Sequence, residues 1–178
     1  MKVLGIDPGT AACGYGLVHE KGGRLREVTH GWWKTPAGRR QELRLRTLFD
    51  GVSDLIEEYG PDAVVLEESF VGVDARTALS VGQARGAILV AAASYGVECA
   101  EYAPSRVKQA VCGYGRAEKA QVERMVTAIL GMRKAPNSHH ASDALAVAIC
   151  HVHSSPHRSI SDLAPARSKA TSWRTYRP

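Results

Sequence analysis

No long apolar run interrupts this sequence. The longest, "AILVAAA" at Ala87–Ala93, falls well short of the roughly 20 residues that a bilayer span requires. The first residues also lack the apolar stretch and small-residue cleavage site of a secretory signal, so a cytoplasmic protein is the expectation. Cysteine is sparse: Cys13, Cys99, Cys112 and Cys150 form no C-x-x-C pair and have no close metal-binding partner. They read as reduced thiols, most of them small core hydrophobes. Histidines crowd the last third (His139, His140, His151, His153), but with no C-x-x-C pair to join them they lack the full ligand pattern of a structural zinc site. Acid is scarce in the tail, where Asp162 stands alone against Arg158, Arg167, Lys169, Arg174 and Arg177. That tail therefore carries +4 of the chain's net +5, and any nucleic-acid face in the body must be argued locally.

What is present fits one soluble globular domain. The 178 residues are 44% hydrophobic and 23% charged, enough for one buried core and too few for two domains and a linker. Residues 1–154 read as that domain, and 155–178, rich in Pro, Ser and Arg with little periodicity, as a basic, disordered tail.

Lys2 to Asp7 reads as a buried strand and Cys13 to Glu20 as a second. "EKGGR" supplies a hairpin turn into a third around Arg26 to Trp33, so the three form an antiparallel meander. Leu45, Leu48, Val52, Leu55, Ile56 and Tyr59 then form one face of an amphipathic helix that Gly60-Pro61 stops. "AVVLEE" at Ala63–Glu68 does not alternate and fits a strand covered on both faces. A helix from an Asp74 cap to Ser94, a short strand at Glu98 to Tyr102, a helix marked by Val122, Met125, Val126, Ile129 and Leu130, and a last one through Leu145 to Val152 complete the order β-β-β-α-β-α-β-α-α. This order predicts an α/β fold, a mixed five-stranded sheet flanked by helices.

Three acids stand where a purely structural account is strained. Asp7 ends the first strand ahead of Pro8 and Gly9, Glu67 ends the apolar strand, and Asp143 begins the last helix. Strand ends are where ligand sites collect in α/β sheets, and clustered carboxylates raise one another's pKa unless a cation neutralises them. Hard oxygen donors suit Mg²⁺ or Mn²⁺. His140, three residues before Asp143, shares its helix face. Taken singly, Asp7 also reads as a turn former, Asp143 as a complement to the helix dipole, and one of Glu67 and Glu68 as a solvated neighbour.

Arg106, Lys108, Arg116, Lys119 and Arg124, interleaved with Tyr102 and Tyr114, lie between the last strand and the helix after it. Such a segment suits phosphate contacts, and equally a solvated helix face. "GYG" before Lys119 lacks the glycine spacing of a Walker loop. Phe70, one of only two phenylalanines, stands just past Glu67, where it either stacks on a base or packs in the core.

Five blocks in order carry a resemblance: "GIDPGTAACGYG", "LEESF", "LSVGQARGAILVAA", "VKQAVCGYGRAEKAQV" and "ASDALAVAICH". Together they resemble the RuvC family of Holliday-junction resolvases over nearly the whole chain to about Ser154. The resemblance implies a ribonuclease-H-like fold. It also implies a metal-dependent endonuclease that, as a homodimer, cuts two opposed strands of a four-way junction to leave 5′-phosphate and 3′-hydroxyl ends, with RuvA and RuvB as partners. It makes Asp7, Glu67 and Asp143 metal ligands, with His140 at a fourth position where many members have Asp. Two Mg²⁺ per site are implied, with Mn²⁺ better tolerated because of the imidazole. Lys108 and Lys119 match the family's essential lysines, Lys119 offsetting charge on the phosphate, and Phe70 its junction-stacking aromatic. Arg76 and Arg116 join them as candidate DNA contacts. Two rival readings exist. "GIDPGT" is also similar to the first phosphate turn of the actin, Hsp70 and sugar-kinase superfamily, which needs two domains where this length supplies one. The second rival is a non-catalytic, structure-specific DNA-binding protein or a relative acting on RNA; clustered acids would be a liability in a protein that only binds DNA.

Overall fold

The computed structural model describes residues 1–9, 11–68 and 75–154. Phe70, the Asp74 cap and the tail after Ser154 lie outside them. The strands are β1 (Lys2–Pro8), β2 (Ala12–Lys21), β3 (Arg24–Lys34), β4 (Ala63–Glu67) and β5 (Glu98–Tyr102). The helices are α1 (Gln41–Tyr59), α2 (Ala75–Ser94), α3 (Pro104–Cys112), α4 (Lys119–Ile129) and α5 (His139–Ser154). The strands form one sheet in the order β3-β2-β1-β4-β5. β1, β2 and β3 pair antiparallel as the predicted meander, whereas β4 runs parallel to both β1 and β5.

Each face of the sheet is covered by its own hydrophobic cluster. On one side Leu4, Ile6, Leu17, Val64 and Leu66 pack against Leu48, Val52 and Ile56 of α1 and Ala84, Ile88, Ala91 and Ala92 of α2. On the other, Val3, Val18, Ala63 and Val65 pack against α3, α4 and above all α5, whose residues Ala144–Cys150 are all buried. This explains why β4 reads as a continuous apolar run, since helices cover both faces. The predicted apolar face of α1 is correct, and Gly60, in the left-handed conformation at φ 56°, closes it.

Two expectations need correction. The segment after β5, which the predicted order leaves without an element, is a helix, α3: Pro104 opens it, Val107 and Val111 are buried one turn apart, and Gly113 at φ 86° closes it. Of the cysteines expected to lie mostly in the core, only Cys13 and Cys150 are buried; Cys112 is half-buried, and Cys99 is exposed because β5 is an edge strand. All four are free thiols. Among the described residues, no helix is long and apolar enough to cross a membrane.

Candidate active site

Strand alternation decides where the two strand-end acids point. Val3 faces the α5 side while Leu4 and Ile6 face α1 and α2, so Asp7 shares the face of Val3 and Gly5. By the same alternation Glu67 follows Ala63 and Val65 onto the α5 side. β1 and β4 are parallel neighbours with Ile6 opposite Leu66, which brings Asp7 and Glu67 out together at the same sheet end.

The helix that completes the cluster reaches it because the sheet beneath carries glycine. A Cβ on Gly5 would lie 2.0 Å from the Ala144 carbonyl oxygen, one on Gly14 2.1 Å from that of His140, and one on Gly16 2.5 Å from Leu145 Cγ. The glycines of "GIDPGTAACGYG" thus do more than turn the chain. They let the α5 backbone lie against β1 and β2, and so carry His140 and Asp143 to Asp7.

The pairings follow. His140 Nδ1 is 2.8 Å from Asp7 Oδ2, and Lys119 Nζ donates to Asp143 Oδ2 at 2.8 Å. Burial raises the Asp7 pKa and the His140 hydrogen bond opposes that rise, with Asp143 adding to it. Glu67 is pushed up to about 7, first by burial and then by the charges of Asp7 and Asp143, against the weaker pull of Lys108 and Lys119. The Lys119 pKa is raised, chiefly by its bond to Asp143. Three carboxylates therefore share one field, with three nitrogen groups, His140, Lys108 and Lys119, against them. Among the described residues, no three His, Cys, Asp or Glu side chains as they stand would grip a metal ion. Lys119 and His140 hold two of the acids instead.

Lys108, on α3, faces the site closely enough for its charge to act on Glu67. Arg116 is exposed in the α3–α4 loop, and Arg76 is exposed at the start of α2. Glu68 is the solvated member of its pair. The histidines disperse to separate partners: His151 to the Tyr102 hydroxyl at 2.9 Å, His153 to the Ala110 carbonyl at 3.1 Å, and His139 to Glu123 at 3.5 Å. One residue that the sequence reading passed over is Arg85 of α2. Its guanidinium donates to the Glu67 carbonyl at 2.6 Å and pairs with Glu101 at 2.6 Å, fixing the end of β4 to β5. Its only sequence signal is a single arginine among small residues in "GQARGA".

A family model, Crossover junction endodeoxyribonuclease RuvC, matches residues 3–151. The chain belongs to the RuvC family. A family member from Syntrophomonas wolfei is 52% identical over 154 residues, 86% of this chain and 90% of its own. The solved RuvC of Thermus thermophilus is 38% identical and superposes with a TM-score of 0.79, covering 86% of this chain and 94% of that one. A second T. thermophilus structure, RuvC in complex with Holliday junction substrate, is 36% identical at the same TM-score and coverage. RuvC membership carries the ribonuclease-H-like fold expected from the sequence, and with it use of a divalent metal.

Proposed function

We propose that Asp7, Glu67 and Asp143, with His140, hold the divalent metal of a crossover junction endodeoxyribonuclease. The chain resolves four-way Holliday junctions in DNA recombination and repair by symmetric phosphodiester hydrolysis, yielding 5′-phosphate ends. The observation that carries this reading is the convergence of acids from β1, β4 and α5 into one field, with Glu67 held at about 7. A divalent cation relieves that condition, and the oxygen donors suit Mg²⁺ and Mn²⁺. His140 in place of a fourth carboxylate favours tolerance of Mn²⁺. Two ions per site, when bound, would lower the pKa of the attacking water and neutralise charge on the departing 3′ oxygen.

The chain's own residues supply the rest. His140 orients the Asp7 carboxylate through its 2.8 Å bond. The Lys119 side chain, 59% exposed, can exchange Asp143 for a phosphate oxygen and offset charge developing there. Lys108 adds positive charge from α3. Phe70 is the stacking residue in this reading, and Arg76 and Arg116 are outlying DNA contacts. The basic tail 155–178 is a separate segment from the nuclease domain, 1–154.

Symmetric cutting of a two-fold junction calls for two sites, hence a homodimer. On α2, Leu79 and Val90 are 65% and 58% exposed, and a Cβ on Gly82 or Gly86 between them would meet nothing within 4 Å. This open apolar stripe supports α2 as the surface for a second copy. Association with RuvA and RuvB, and a cytoplasmic location, belong to the same reading. The test is cleavage of a labelled synthetic four-way junction with Mg²⁺, Mn²⁺ or EDTA. Paired nicks in opposed strands with either metal and none in EDTA are expected; metal-independent cutting, or equal cutting of plain duplex, would overturn the reading.

A further inference from the structure

The segment from Lys34 to Arg46 concentrates charge outside the active-site cluster. It holds Lys34, Arg39, Arg40, Arg44 and Arg46 against Glu42 alone, a net +4 in 13 residues. The tail after Ser155 also carries +4 of the chain's +5, so the remainder of the body is net negative. The patch is thus a local feature rather than a sample of general basicity.

Its position follows from the sheet. β2 begins at Ala12 opposite Lys34, the end of β3, and Cys13 lies opposite Pro8, the end of β1. The patch therefore sits at the same sheet end as Asp7, two strand spacings or about 10 Å away. It lies on the β3 side, across the sheet from Lys108 and Arg116. The backbone there is held in place: Thr35 N donates to Ala11 O at 2.9 Å, and Arg39 N to Pro36 O at 3.0 Å. Arg44, half-buried, clamps the turn by donating to the Thr35 carbonyl at 3.0 Å and to Gln41 Oε1 at 2.6 Å, while Gln41 bonds Gln83 of α2 at 2.8 Å. Arg39 and Arg40 are exposed on this fixed turn; Arg40 pairs with Glu42, and Arg39 contacts the Thr47 hydroxyl at 3.3 Å. Surface pairs of this kind are weak enough to yield to a phosphate.

We propose that Lys34, Arg39 and Arg40 form a phosphate-binding track for a DNA arm leaving the active site on the β3 side, opposite the track of Lys108 and Arg116. This rests on the junction-nuclease reading and adds a second arm contact to it. A cutting site flanked by cations on one side alone fixes one arm; cations on both sides fix the angle between two arms, which distinguishes a junction from a duplex. Arg44 is a positioning residue that holds the turn and makes no DNA contact itself.

The test uses the full-length chain and a labelled immobile four-way junction in Ca²⁺, with binding measured across a salt series. Arg39→Gln/Arg40→Gln is compared with Lys21→Gln/Arg24→Gln, which removes the same charge from exposed residues at the opposite end of the sheet. The first pair is expected to lower the slope of log K against log salt by about 2 and to weaken binding by roughly tenfold per contact at 0.1 M salt. The control pair is expected to leave the slope unchanged. Slopes unchanged in both, or lowered equally in both, would overturn the track. A wild-type chain that failed to bind the junction would overturn the junction reading itself and the track with it.

Discussion

At the residue scale the site is a contest between carboxylates and the few cations offered to them. Glu67 shows the balance most clearly, because its folded pKa of about 7 exceeds the model-compound value of 4.5. A raised acid contributes most to stability while protonated, and loses that contribution as pH rises through about 7. It must also shed its proton to ligate a metal. Apparent Mg²⁺ affinity, measured by calorimetry between pH 5.5 and 8.5, is therefore expected to rise by up to about tenfold per pH unit below 7 and to flatten above it. A flat profile would remove Glu67 from the ligand set. His140→Asp, which replaces an imidazole by a carboxylate, is expected to lower the Mn²⁺-to-Mg²⁺ ratio of junction-cleavage rates by about tenfold. An unchanged ratio would mean that His140 serves only to orient Asp7. The strand-end acids and the His140–Asp143 spacing are legible in sequence because alternation and helical period decide them. The pairings with Lys119, and the grip of Arg85 on Glu67, are not, because they join residues 24 and 18 positions apart across separate elements.

At the element scale the decisive contact is α5 lying directly on β1 and β2. Gly14→Val would drive a side chain into the His140 carbonyl, where even a Cβ sits at 2.1 Å. Overpacking of this kind costs about 3 kcal/mol, which in a chain of this size lowers Tm by about 10 °C. Junction cleavage is expected to fail even at temperatures where the variant remains folded. Gly38→Ala, whose methyl meets nothing within 4 Å, is the control for packing and is expected to leave Tm unchanged. A Gly14 variant with wild-type Tm and activity would show that the close approach is dispensable. The meander, the doubly covered β4 and the α1 face follow from periodicity read along the chain. α3 escapes that reading because it has nine residues and its arginine and lysine draw attention as phosphate contacts. Pro104 and Gly113 are the signals that bracket it.

At the scale of the whole molecule, the proposed function calls for a second copy and depends on where the charge lies. Val90→Glu puts a carboxylate at one end of the open α2 stripe, 58% exposed in a single chain, so the fold should survive it. Sedimentation is expected to show a monomer, and paired nicking should give way to rare single nicks. A variant that stayed dimeric would place the interface elsewhere. The global +5 charge says little about the binding face because most of it is in the tail.

The most direct measurement follows binding and cutting of one synthetic four-way junction by the wild type and by Asp7→Asn, side by side in Mg²⁺ and in Mn²⁺. The substitution removes a negative charge and no positive one, so junction affinity should be retained or improved. Cleavage should fall by at least about 100-fold in either metal. Asp7→Asn cutting at near the wild-type rate would mean that the carboxylates at the end of β1 and β4 are not the catalytic centre.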